Sequence, residues 1–260
     1  MQFTARKSLG QNFLIDKNIL KKIANIGNIS KEDKVLEIGP GTGNLTEYII
    51  KADPKAITVI EKDLRLVKIL EKKFKDQIKI INNDVLKLPE SFYEDQYLVY
   101  GNLPYNISTQ IFAFWCLSKK VKFKKLILMF QKEVADRIIA NINTKNYSRV
   151  TILANWKFNI KKICDVSPEC FFPIPKIKST LLEFTPKVDI IKIENPKNLE
   201  NITKIFFSQR RKMIKKNFIK LFKNYDYLSK TIDIKLTDRP QNISVEKFLR
   251  LVIEFENNLK

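Results

Sequence analysis

Residues 101–106 read GNLPYN and place an amide side chain, a proline and an aromatic ring close together. A tight turn needs Gly, Asn and Pro, but it does not need the Leu and Tyr that accompany them here. The Asn102 side-chain oxygen and the backbone carbonyls after it can accept the two N–H bonds of an amino group. Pro104 fixes its own φ and removes a backbone donor, so the loop presents acceptors. We therefore expect this loop to hold and orient an amine, with Tyr105 offering a flat surface beside it.

A glycine-rich stretch, EIGPGTGN, occupies residues 37–44 and contains three of the six glycines in the chain. It follows a predicted buried strand, and in a parallel α/β sheet the first strand-to-helix turn is where a ligand approaches the backbone. Its spacing is G-x-G-x-G, because position 44 is Asn, and not the G-x-G-x-x-G of dinucleotide binders. A turn that binds nothing is the alternative interpretation. The pattern favours a cofactor other than a nicotinamide.

Acidic residues mark the ends of the next two predicted strands. Glu61 lies about 20 residues after the first glycine of the loop, where a carboxylate typically accepts hydrogen bonds from ribose hydroxyls. Asp84 ends the following strand and is placed to accept from an adenine amino group. Taken alone, Glu61 has a surface charge as its alternative, and Asp84 an N-cap or turn residue. Together with the glycines, the two acids predict a nucleoside cofactor.

The elements that must position these groups alternate between strands and helices. A helix capped by Asp16 and stopped by Gly27 comes first. Buried strands are predicted at residues 34–39, 56–63, 78–85, 97–102 and 125–131. Apolar strands without strict alternation, separated by helical stretches, indicate a parallel sheet covered on both faces. Residues 159–166 and 179–186 are predicted to form a later antiparallel pair.

Residues 186–196 contain two prolines and are interpreted as a linker. Beyond the linker only helical patterns occur, at residues 199–224 and 244–258. We therefore predict two domains: an α/β domain over residues 1–190 and a small helical domain over residues 191–260.

Composition narrows the partners and the chemistry. The chain carries 48 Lys and Arg against 28 Asp and Glu, a formal net charge of +20, which favours a nucleic-acid partner. It contains no histidine, which excludes Ser-His-Asp triads and HExxH zinc sites. Its three cysteines lack metal-type spacing and indicate a reducing compartment. Membrane association is not expected, because no apolar run is long enough to span a bilayer.

Several stretches distributed along the chain resemble one enzyme family. They are RKSLGQNFLID (6–16), EIGPGTGNLT (37–46), GNLPYNIST (101–109), FQKEVADRI (130–138), FFPIPKIKSTLLEF (171–184), FSQRRKMIKKNF (207–218) and RPQNISVEKFLRL (239–251). These motifs resemble the ribosomal RNA adenine N6-dimethyltransferases, the KsgA/Erm family. LGQNFL, SQRRK and RPQNIS are more similar to the KsgA branch, which modifies small-subunit rRNA, than to the macrolide-resistance Erm branch. The resemblance implies a Rossmann-like methyltransferase sheet with a C-terminal all-helical domain.

The resemblance also implies residue roles around S-adenosylmethionine. The implied cofactor-binding residues are Gln11, Asn12, Leu14, Gly39, Gly41, Glu61, Asp84, Val85 and Asn102. Asn102, Leu103 and Pro104 would orient the target amino group. Tyr105 and Phe171 would sandwich the target adenine. The family pattern F-x-P-x-P-x-V-x-S is met from Phe171 to Ser179 with Ile177 in place of Val, and this spacing favours Phe171 over the adjacent Phe172.

The segment 210–223, RRKMIKKNFIKLFK, is predicted to be a basic helix. Its apolar positions would form one face, comprising Met213, Ile214, Phe218, Leu221 and Phe222. The predicted RNA-binding residues are Arg210, Arg211, Lys212, Lys215 and Lys216. A solvated helix face above an apolar stripe is the alternative; the functional interpretation is a surface that follows rRNA phosphates.

The expected activity is N6,N6-dimethylation of two adjacent adenosines near the 3′ end of small-subunit rRNA, with a role in small-subunit biogenesis. The expected partner is small-subunit rRNA or a small-subunit precursor, and the expected protein is a monomer without a metal. The absence of an N-terminal extension favours a bacterial cytoplasm. An Erm-type large-subunit methylase and a non-catalytic ribosome assembly factor are the alternatives.

Overall fold

The computed structural model describes residues 5–6 and 9–258, so residues 7 and 8 of the first motif lie outside the described residues. The chain forms two compact units. The first contains residues up to 115, 120–135 and 159–186, and the second contains 116–119, 136–158 and 187 onward. The last stretch of the second unit begins close to the predicted boundary at residue 190. The second unit also includes residues 116–119 and 136–158, which the prediction placed in the first domain.

The strands of the described residues are β1 Phe13–Leu14, β2 Lys34–Ile38, β3 Ala56–Glu61, β4 Lys79–Asn82, β5 Tyr97–Asn102, β6 Phe123–Gln131, β7 Phe158–Val166, β8 Phe171–Phe172 and β9 Ser179–Pro186. Seven of them form one sheet in the order β4-β3-β2-β5-β6-β9-β7. The five neighbouring strands β4, β3, β2, β5 and β6 run parallel to one another, whereas β9 runs antiparallel to β6. The short strands β1 and β8 pair antiparallel with each other.

The helices of the first unit are α1 Lys17–Ile26, α2 Asn44–Lys51, α3 Leu64–Phe74, α4 Ser108–Leu117 and α5 Lys132–Ile138, the last two continuing into the second unit. The predicted ends of α1 are confirmed. Asp16 Oδ1 accepts a hydrogen bond from the Ile19 N–H at 2.9 Å, and Gly27 is the C-cap. Asp63 caps α3 in the same way through the Arg65 N–H. Both caps satisfy backbone donors that a helix leaves unpaired at its start.

The central strands are apolar on both faces because helices cover both faces of the sheet. Val35 and Leu36 in β2, and Leu98 and Val99 in β5, have no exposed surface. Strand β2 is the first strand of the sheet in chain order, and its neighbours β3 and β5 lie on opposite sides. The chain therefore changes direction across the sheet at β2. In such sheets the ligand crevice lies at the carboxyl ends of the strands at this point.

The helices that lie within the second unit are α6 Arg149–Lys157, α7 Pro196–Phe207, α8 Lys215–Leu221, α9 Tyr225–Thr231 and α10 Val245–Asn257. Glu256 of α10 accepts hydrogen bonds from the backbone N–H groups of Glu194 and Asn195 at 2.8 Å, immediately before α7. The apolar sides of α7 and α10 meet in aromatic contacts, such as Phe206 against Phe248. No helix in the described part of the chain is long and apolar enough to cross a bilayer.

The predicted continuous helix over residues 199–224 is wrong. Residues 208–213 form turns between α7 and α8, and the Ile214 N–H donates to the Asp238 carbonyl instead of to a helical partner. Met213 is 59% exposed, so it does not belong to the apolar stripe that buries Ile214 and Phe218. The helical period continues through this region, but a backbone contact from a distant loop ends the helix.

Candidate active site

A crevice opens at the carboxyl ends of β2 and β5, within the first unit. Its lining contains every residue predicted to bind the cofactor or to orient the amine, together with Tyr105. Gly39 has a positive φ of 66°, and a Cβ built there has the Asn102 carbonyl oxygen, at 3.9 Å, as its nearest neighbour. The backbone of Gly39 therefore presents a bare face to the crevice, as a closely approaching ligand requires.

Gly41 is required for a different reason. It also has a positive φ, of 60°, and a Cβ at this position would lie 2.6 Å from Cδ1 of Phe13. The ring of Phe13 in β1 therefore packs directly on the glycine loop. The absence of a side chain at position 41 allows the N-terminal segment to lie across the crevice.

Glu61 holds the glycine loop through backbone contacts. Its Oε2 accepts from the Gly41 N–H at 3.3 Å and its Oε1 from the Asp63 N–H at 2.8 Å. Burial raises the pKa of Glu61, while these backbone hydrogen bonds oppose the rise. Because a carboxylate has about four acceptor sites, Glu61 retains capacity for ribose hydroxyls after both contacts are made.

Glu37 is a site residue that the sequence reasoning missed. It is 2% exposed, lines the crevice below the glycine loop and accepts a hydrogen bond from Thr46 Oγ1 at 2.7 Å. Desolvation by burial raises the pKa of its carboxyl group to about 7, although the Thr46 contact lowers it. The signal was present in the sequence, because Glu37 is an acid inside the otherwise apolar run VLEI. A buried acid beside a bare glycine backbone is a candidate partner for a cationic ligand.

Asp84 combines the two roles that its sequence position allowed. Its Oδ1 accepts from the Leu86 N–H at 3.0 Å, as a cap does, and its Oδ2 pairs with Lys62 Nζ at 2.9 Å. Burial raises the pKa of Asp84, but the hydrogen bonds from Lys62 and Leu86 outweigh it and the net shift is downward. Asp84 also lines the crevice beside the buried Val85, so an ionised acceptor lies next to an apolar surface.

Residues 9–14 form a roof segment that is fastened over the crevice. Gln11 Nε2 donates to Asp63 Oδ2 at 2.9 Å, and Asn44 Nδ2 donates to the Leu14 carbonyl at 2.8 Å. The side-chain hydrogen bond from Arg65 and that from Gln11 together lower the pKa of Asp63 to about 2, so the Gln11 contact is made to a charged acceptor. Asn44, which distinguishes the glycine loop from a dinucleotide motif, thus connects that loop to the roof segment.

The Asn102 side chain is held in one orientation. Its Nδ2 donates to the backbone carbonyl of Asn12 at 2.8 Å. The amide therefore has its donor side committed to the roof segment, which leaves Oδ1 as the acceptor at the crevice. The Pro104 carbonyl already accepts from the Ile107 N–H at 3.1 Å. The carbonyl of the buried Leu103 is consequently the better candidate for the second acceptor.

Tyr105 is positioned by a residue that the sequence reasoning did not assign. Its hydroxyl lies 2.6 Å from Oγ of Ser179, which is fully buried at the start of β9. Burial raises the pKa of Tyr105, and the contact with Ser179 opposes the rise. The hydrogen bond fixes the ring at the crevice in its neutral form. Ser179 ends the pattern that begins at Phe171, so the two motifs meet in space.

Phe171, the predicted second aromatic surface, and its neighbour Phe172 differ sharply in exposure. Phe171 is 1% exposed and packs in the apolar core with Leu14 and Leu181, so its ring has no face free for a base. Phe172 is 56% exposed and pairs across the ribbon with Phe13, which lines the crevice. Directly paired residues lie on the same face of a two-stranded ribbon. Phe171 pairs with Leu14, which also lines the crevice, so the pairing places neither ring in the crevice; the two rings differ in exposure.

The predicted RNA-binding residues belong to the second unit. Arg211, Lys212, Lys215 and Lys216 are exposed, whereas Arg210 is half-buried and its Nη2 donates to the Thr144 carbonyl at 3.2 Å. None of the five forms a salt bridge with the described residues. Three of them lie in the turns and at the break before α8, so their charges are carried by a bend and not by one helix face.

Comparison with known proteins identifies the family. A family model described as ribosomal RNA adenine dimethylase matches residues 2–257. The chain belongs to this family. Ribosomal RNA small subunit methyltransferase A of Pelagibacter ubique (strain HTCC1062) is 54% identical over 256 residues, which are 97% of each chain. The protein of the same name from Malacoplasma penetrans (strain HF-2) is 42% identical and covers 98% of this chain and 93% of its own.

Solved structures agree with this assignment. A dimethyladenosine transferase from Plasmodium falciparum has a TM-score of 0.77 at 28% identity and covers 94% of this chain and 98% of its own. The 23S rRNA methyltransferase ErmE has a TM-score of 0.68 at 23% identity, covers 94% of this chain and 99% of its own, and shares the fold. The predicted family and Rossmann-like fold class are confirmed. As a ribosomal RNA adenine dimethylase, the protein is a methyltransferase that uses S-adenosylmethionine.

The crevice suits that cofactor. S-adenosylmethionine carries a sulfonium, an ammonium group, ribose hydroxyls and an adenine amino group, and each of these is attracted by oxygen acceptors. The lining supplies three carboxyl groups, those of Glu37, Glu61 and Asp84, together with the bare backbone at Gly39. A site that binds a cation needs such acceptors at low exposure, and Glu37 and Glu61 are both buried.

Proposed function

We propose that this chain transfers methyl groups from S-adenosylmethionine to N6 of two adjacent adenosines in the 3′-terminal hairpin loop of 16S rRNA. The product is N6,N6-dimethyladenosine, and the role lies in small-subunit biogenesis. The observation that carries the proposal is the fixed amide of Asn102, whose donor side is bonded to Asn12 at 2.8 Å. The choice of the small subunit is supported by relatives named for it at 54% and 42% identity, against 23% for ErmE.

For methyl transfer to an adenine amino group, orienting that group matters more than a general base that removes its proton. S-adenosylmethionine supplies a methyl group on a positively charged sulfur, which is already a good leaving group. The lone pair of an adenine amino nitrogen is delocalised into the ring. Asn102 Oδ1 and the Leu103 carbonyl accept its two N–H bonds, which favours a pyramidal nitrogen whose lone pair faces the methyl group.

The proton on nitrogen becomes acidic only after the methyl group has been transferred. A strong general base is therefore not needed, which agrees with a chain that contains no histidine. For the second methylation, N6-methyladenosine occupies the same site with one N–H bond instead of two. One of the two acceptors, Asn102 Oδ1 or the Leu103 carbonyl, is then unpaired. We propose that Pro104 keeps both acceptors in place during each transfer by fixing the backbone.

Aromatic rings receive the target base after it leaves its stack. Tyr105 is held by Ser179 at the crevice, and Phe172 is the exposed ring on the same side of the ribbon as Phe13. Stacking on an aromatic ring is worth about 1–3 kcal/mol per base, which is comparable to the cost of unstacking a base. We propose Tyr105 and Phe172 as the surfaces that hold the target adenine.

We propose that the cofactor lies in the crevice between the glycine loop, Glu61, Asp84 and the roof segment. Glu61 would accept from the ribose hydroxyls, and Asp84 would accept from the adenine amino group beside the side chain of Val85. Gln11, Asn12 and Leu14 of the roof segment would cover the methionine end above Gly39 and Gly41. The support is that all these residues line one crevice and that the roof is fastened through Asp63, Asn44 and Asn102.

The second unit is proposed to bind the rRNA backbone. Its basic bend presents Arg211, Lys212, Lys215 and Lys216, which form no ion pairs with the described residues, together with Arg210. We propose that residues 191–260 form the rRNA-binding domain and that its partner is small-subunit rRNA or a small-subunit precursor. We also propose that the protein acts as a monomer in the cytoplasm. Binding that depends on such contacts weakens steeply with salt.

The decisive experiment uses undermethylated small subunits and labelled S-adenosylmethionine. The expected result is N6,N6-dimethyladenosine in the small-subunit rRNA, detected by mass spectrometry, and a severe loss of turnover in Asn102→Ala. Asn18→Ala, an exposed asparagine of α1, is the matched control and should behave as wild type. Tyr105→Ala should lower turnover much more than it lowers cofactor affinity. Failure to label small subunits would refute the proposal.

Two further outcomes separate the alternatives. Labelling of large-subunit rRNA instead of small-subunit rRNA would favour an Erm-type enzyme. Full assembly function of Asn102→Ala in cells, with no dimethylation in wild type, would favour a non-catalytic assembly factor.

A further inference from the structure

The loop between β8 and β9 carries an exposed apolar and basic surface beside the crevice. We call residues 173–178, with the sequence PIPKIK, the platform loop. Ile174 is 65% exposed and Ile177 is 42% exposed, whereas Pro175 between them is buried. Lys176 and Lys178 are exposed and form no salt bridge with the described residues. Exposed apolar surface bordered by polar residues is typical of interaction sites.

Both ends of the platform loop are anchored at the crevice. Before it, Phe172 pairs with Phe13 in the small ribbon. After it, Ser179 contacts the Tyr105 hydroxyl at 2.6 Å, and the Lys178 carbonyl accepts from the Lys132 N–H at 2.9 Å. The two prolines fix φ at two of the six positions. The exposed side chains are therefore presented by a constrained backbone next to the ring that receives the target base.

The charge of the loop identifies the class of occupant. Residues 170–182 contain no acidic side chain, and the two lysines flank Ile177. A purely apolar protein surface would leave Lys176 and Lys178 without a partner. A nucleotide offers both a flat base for the isoleucines and a phosphate for the lysines. Surfaces for single-stranded nucleic acid combine positive charges along the phosphates with side chains that cover the exposed bases, and here the aliphatic Ile174 and Ile177 would cover a base between the two lysines.

We propose that the platform loop binds the nucleotide next to the target adenosine in the same RNA strand. This inference rests on the proposed function, in which one adenosine enters the crevice while its neighbour loses a stacking partner. Ile174 and Ile177 contact the unstacked base of the neighbour, and Lys176 and Lys178 contact its phosphates. The loop thereby holds the second adenosine near the crevice while the first is methylated.

The test compares two substrates and a set of variants. Undermethylated small subunits are reconstituted with a synthetic 3′ rRNA fragment that carries either the adjacent adenosine or an abasic residue in its place. The variant I174S/I177S removes the apolar surface, and I174F offers a ring in its place. V188S, at a site that is 95% exposed in the second unit, is the matched control.

With wild type, the abasic residue should raise KM for the target adenosine about fivefold or more, which corresponds to about 1 kcal/mol of lost contact. I174S/I177S should raise KM to a similar degree on the intact substrate and show no further effect of the abasic residue. I174F should preserve the wild-type difference or enlarge it. Cofactor affinity, measured by calorimetry, should be unchanged in all of them, which shows that the crevice is intact.

The lysines are tested through salt dependence. K176Q/K178Q should reduce the slope of log KM against log salt by about 1.4, because it removes two contacts with single-stranded phosphates and each contributes about 0.7. K79Q, an exposed lysine at the start of β4, is the matched control and should leave the slope unchanged.

The possible failures are distinguishable. If wild type does not methylate small subunits at all, the proposed function fails. If wild type is active and I174S/I177S has the same sensitivity to the abasic residue as wild type, the platform loop does not bind the adjacent nucleotide. An equal loss on both substrates with a retained abasic effect would assign the loop to a protein of the particle and overturn the inference.

Discussion

Replacing Glu37 by Gln should remove a large part of the pH dependence of stability between pH 5 and pH 8. Glu37 is 2% exposed and its pKa in the folded protein is raised from 4.5 to about 7. The main cause is desolvation, the Thr46 hydroxyl opposes the rise, and the nearby charges of Glu61 and Lys73 act in opposite directions. An amide of the same shape retains an acceptor for Thr46 and never ionises.

The sign of the effect follows from linkage. Because the pKa is higher in the folded protein, the stabilisation is fully present below pH 4.5 and is lost as the pH rises through about 7. One pKa unit corresponds to about 1.4 kcal/mol, so the rise to about 7 is worth about 3 kcal/mol in the free energy of unfolding. Part of this is already lost at pH 5, so the free energy of unfolding of wild type, relative to Glu37→Gln, should fall by roughly 2–3 kcal/mol from pH 5 to pH 8.

Urea unfolding at pH 5, 6, 7 and 8, without cofactor, measures this difference. The chain is well suited to the measurement because it contains no histidine, which otherwise titrates in this window. Glu71→Gln, at an exposed position of α3, is the matched control, and its curve should run parallel to that of wild type. Parallel curves for Glu37→Gln and wild type would show that Glu37 ionises normally in the folded protein and would refute the reasoning.

Three other substitutions test individual contacts. Ser179→Ala removes the partner of the Tyr105 hydroxyl and should lower the methyl-transfer rate about three- to tenfold in single-turnover assays, which is the effect of one hydrogen bond. Cofactor affinity should not change, and an equal loss of affinity would contradict the role. Gly41→Ala places a Cβ 2.6 Å from Phe13 at a positive φ and should weaken cofactor binding by about fivefold or more in calorimetry; wild-type affinity would show that the roof adjusts freely. Glu256→Gln weakens the charged cap before α7 and should lower the free energy of unfolding by about 1–3 kcal/mol in urea titrations, while methylation at 25 °C is retained.

Local signals predicted the framework of the first unit. The cap at Asp16, the stop at Gly27 and the five parallel strands follow from residues close in sequence, and all are present. The clustering of Gly39, Glu61 and Asp84 in one crevice also follows from sequence, because parallel strands place their carboxyl ends at one edge. Periodicity and strand order are enough for these features.

Contacts between distant segments could not be predicted in the same way. The Asn102 amide is oriented by Asn12, which lies 90 positions away, and the tie from Asn44 reaches back to Leu14. The break in the basic helix depends on a backbone contact to the loop at Asp238. In each case the local sequence permits several conformations, and a partner from elsewhere in the chain selects one of them.

The choice between Phe171 and Phe172 shows the same limit within two residues. Strand periodicity places neighbouring side chains on opposite faces, but it does not say which face meets the core. Packing decides it, because Phe171 is buried in the core with Leu14 and Leu181 whereas Phe172 is exposed. Spacing within the motif therefore located the aromatic pair, and only the three-dimensional packing distinguished its two members.

The hydrogen bond from Asn102 to Asn12 has a practical consequence for anyone who purifies or engineers this enzyme. Affinity tags and shortened N-termini are usually considered harmless when the affected residues touch no substrate. Here the carbonyl of Asn12 keeps the Asn102 amide from rotating, so a tag that displaces the roof segment would yield a folded protein with a misoriented acceptor. Low activity of an N-terminally tagged preparation should therefore be checked against a C-terminally tagged one before any substrate is dismissed.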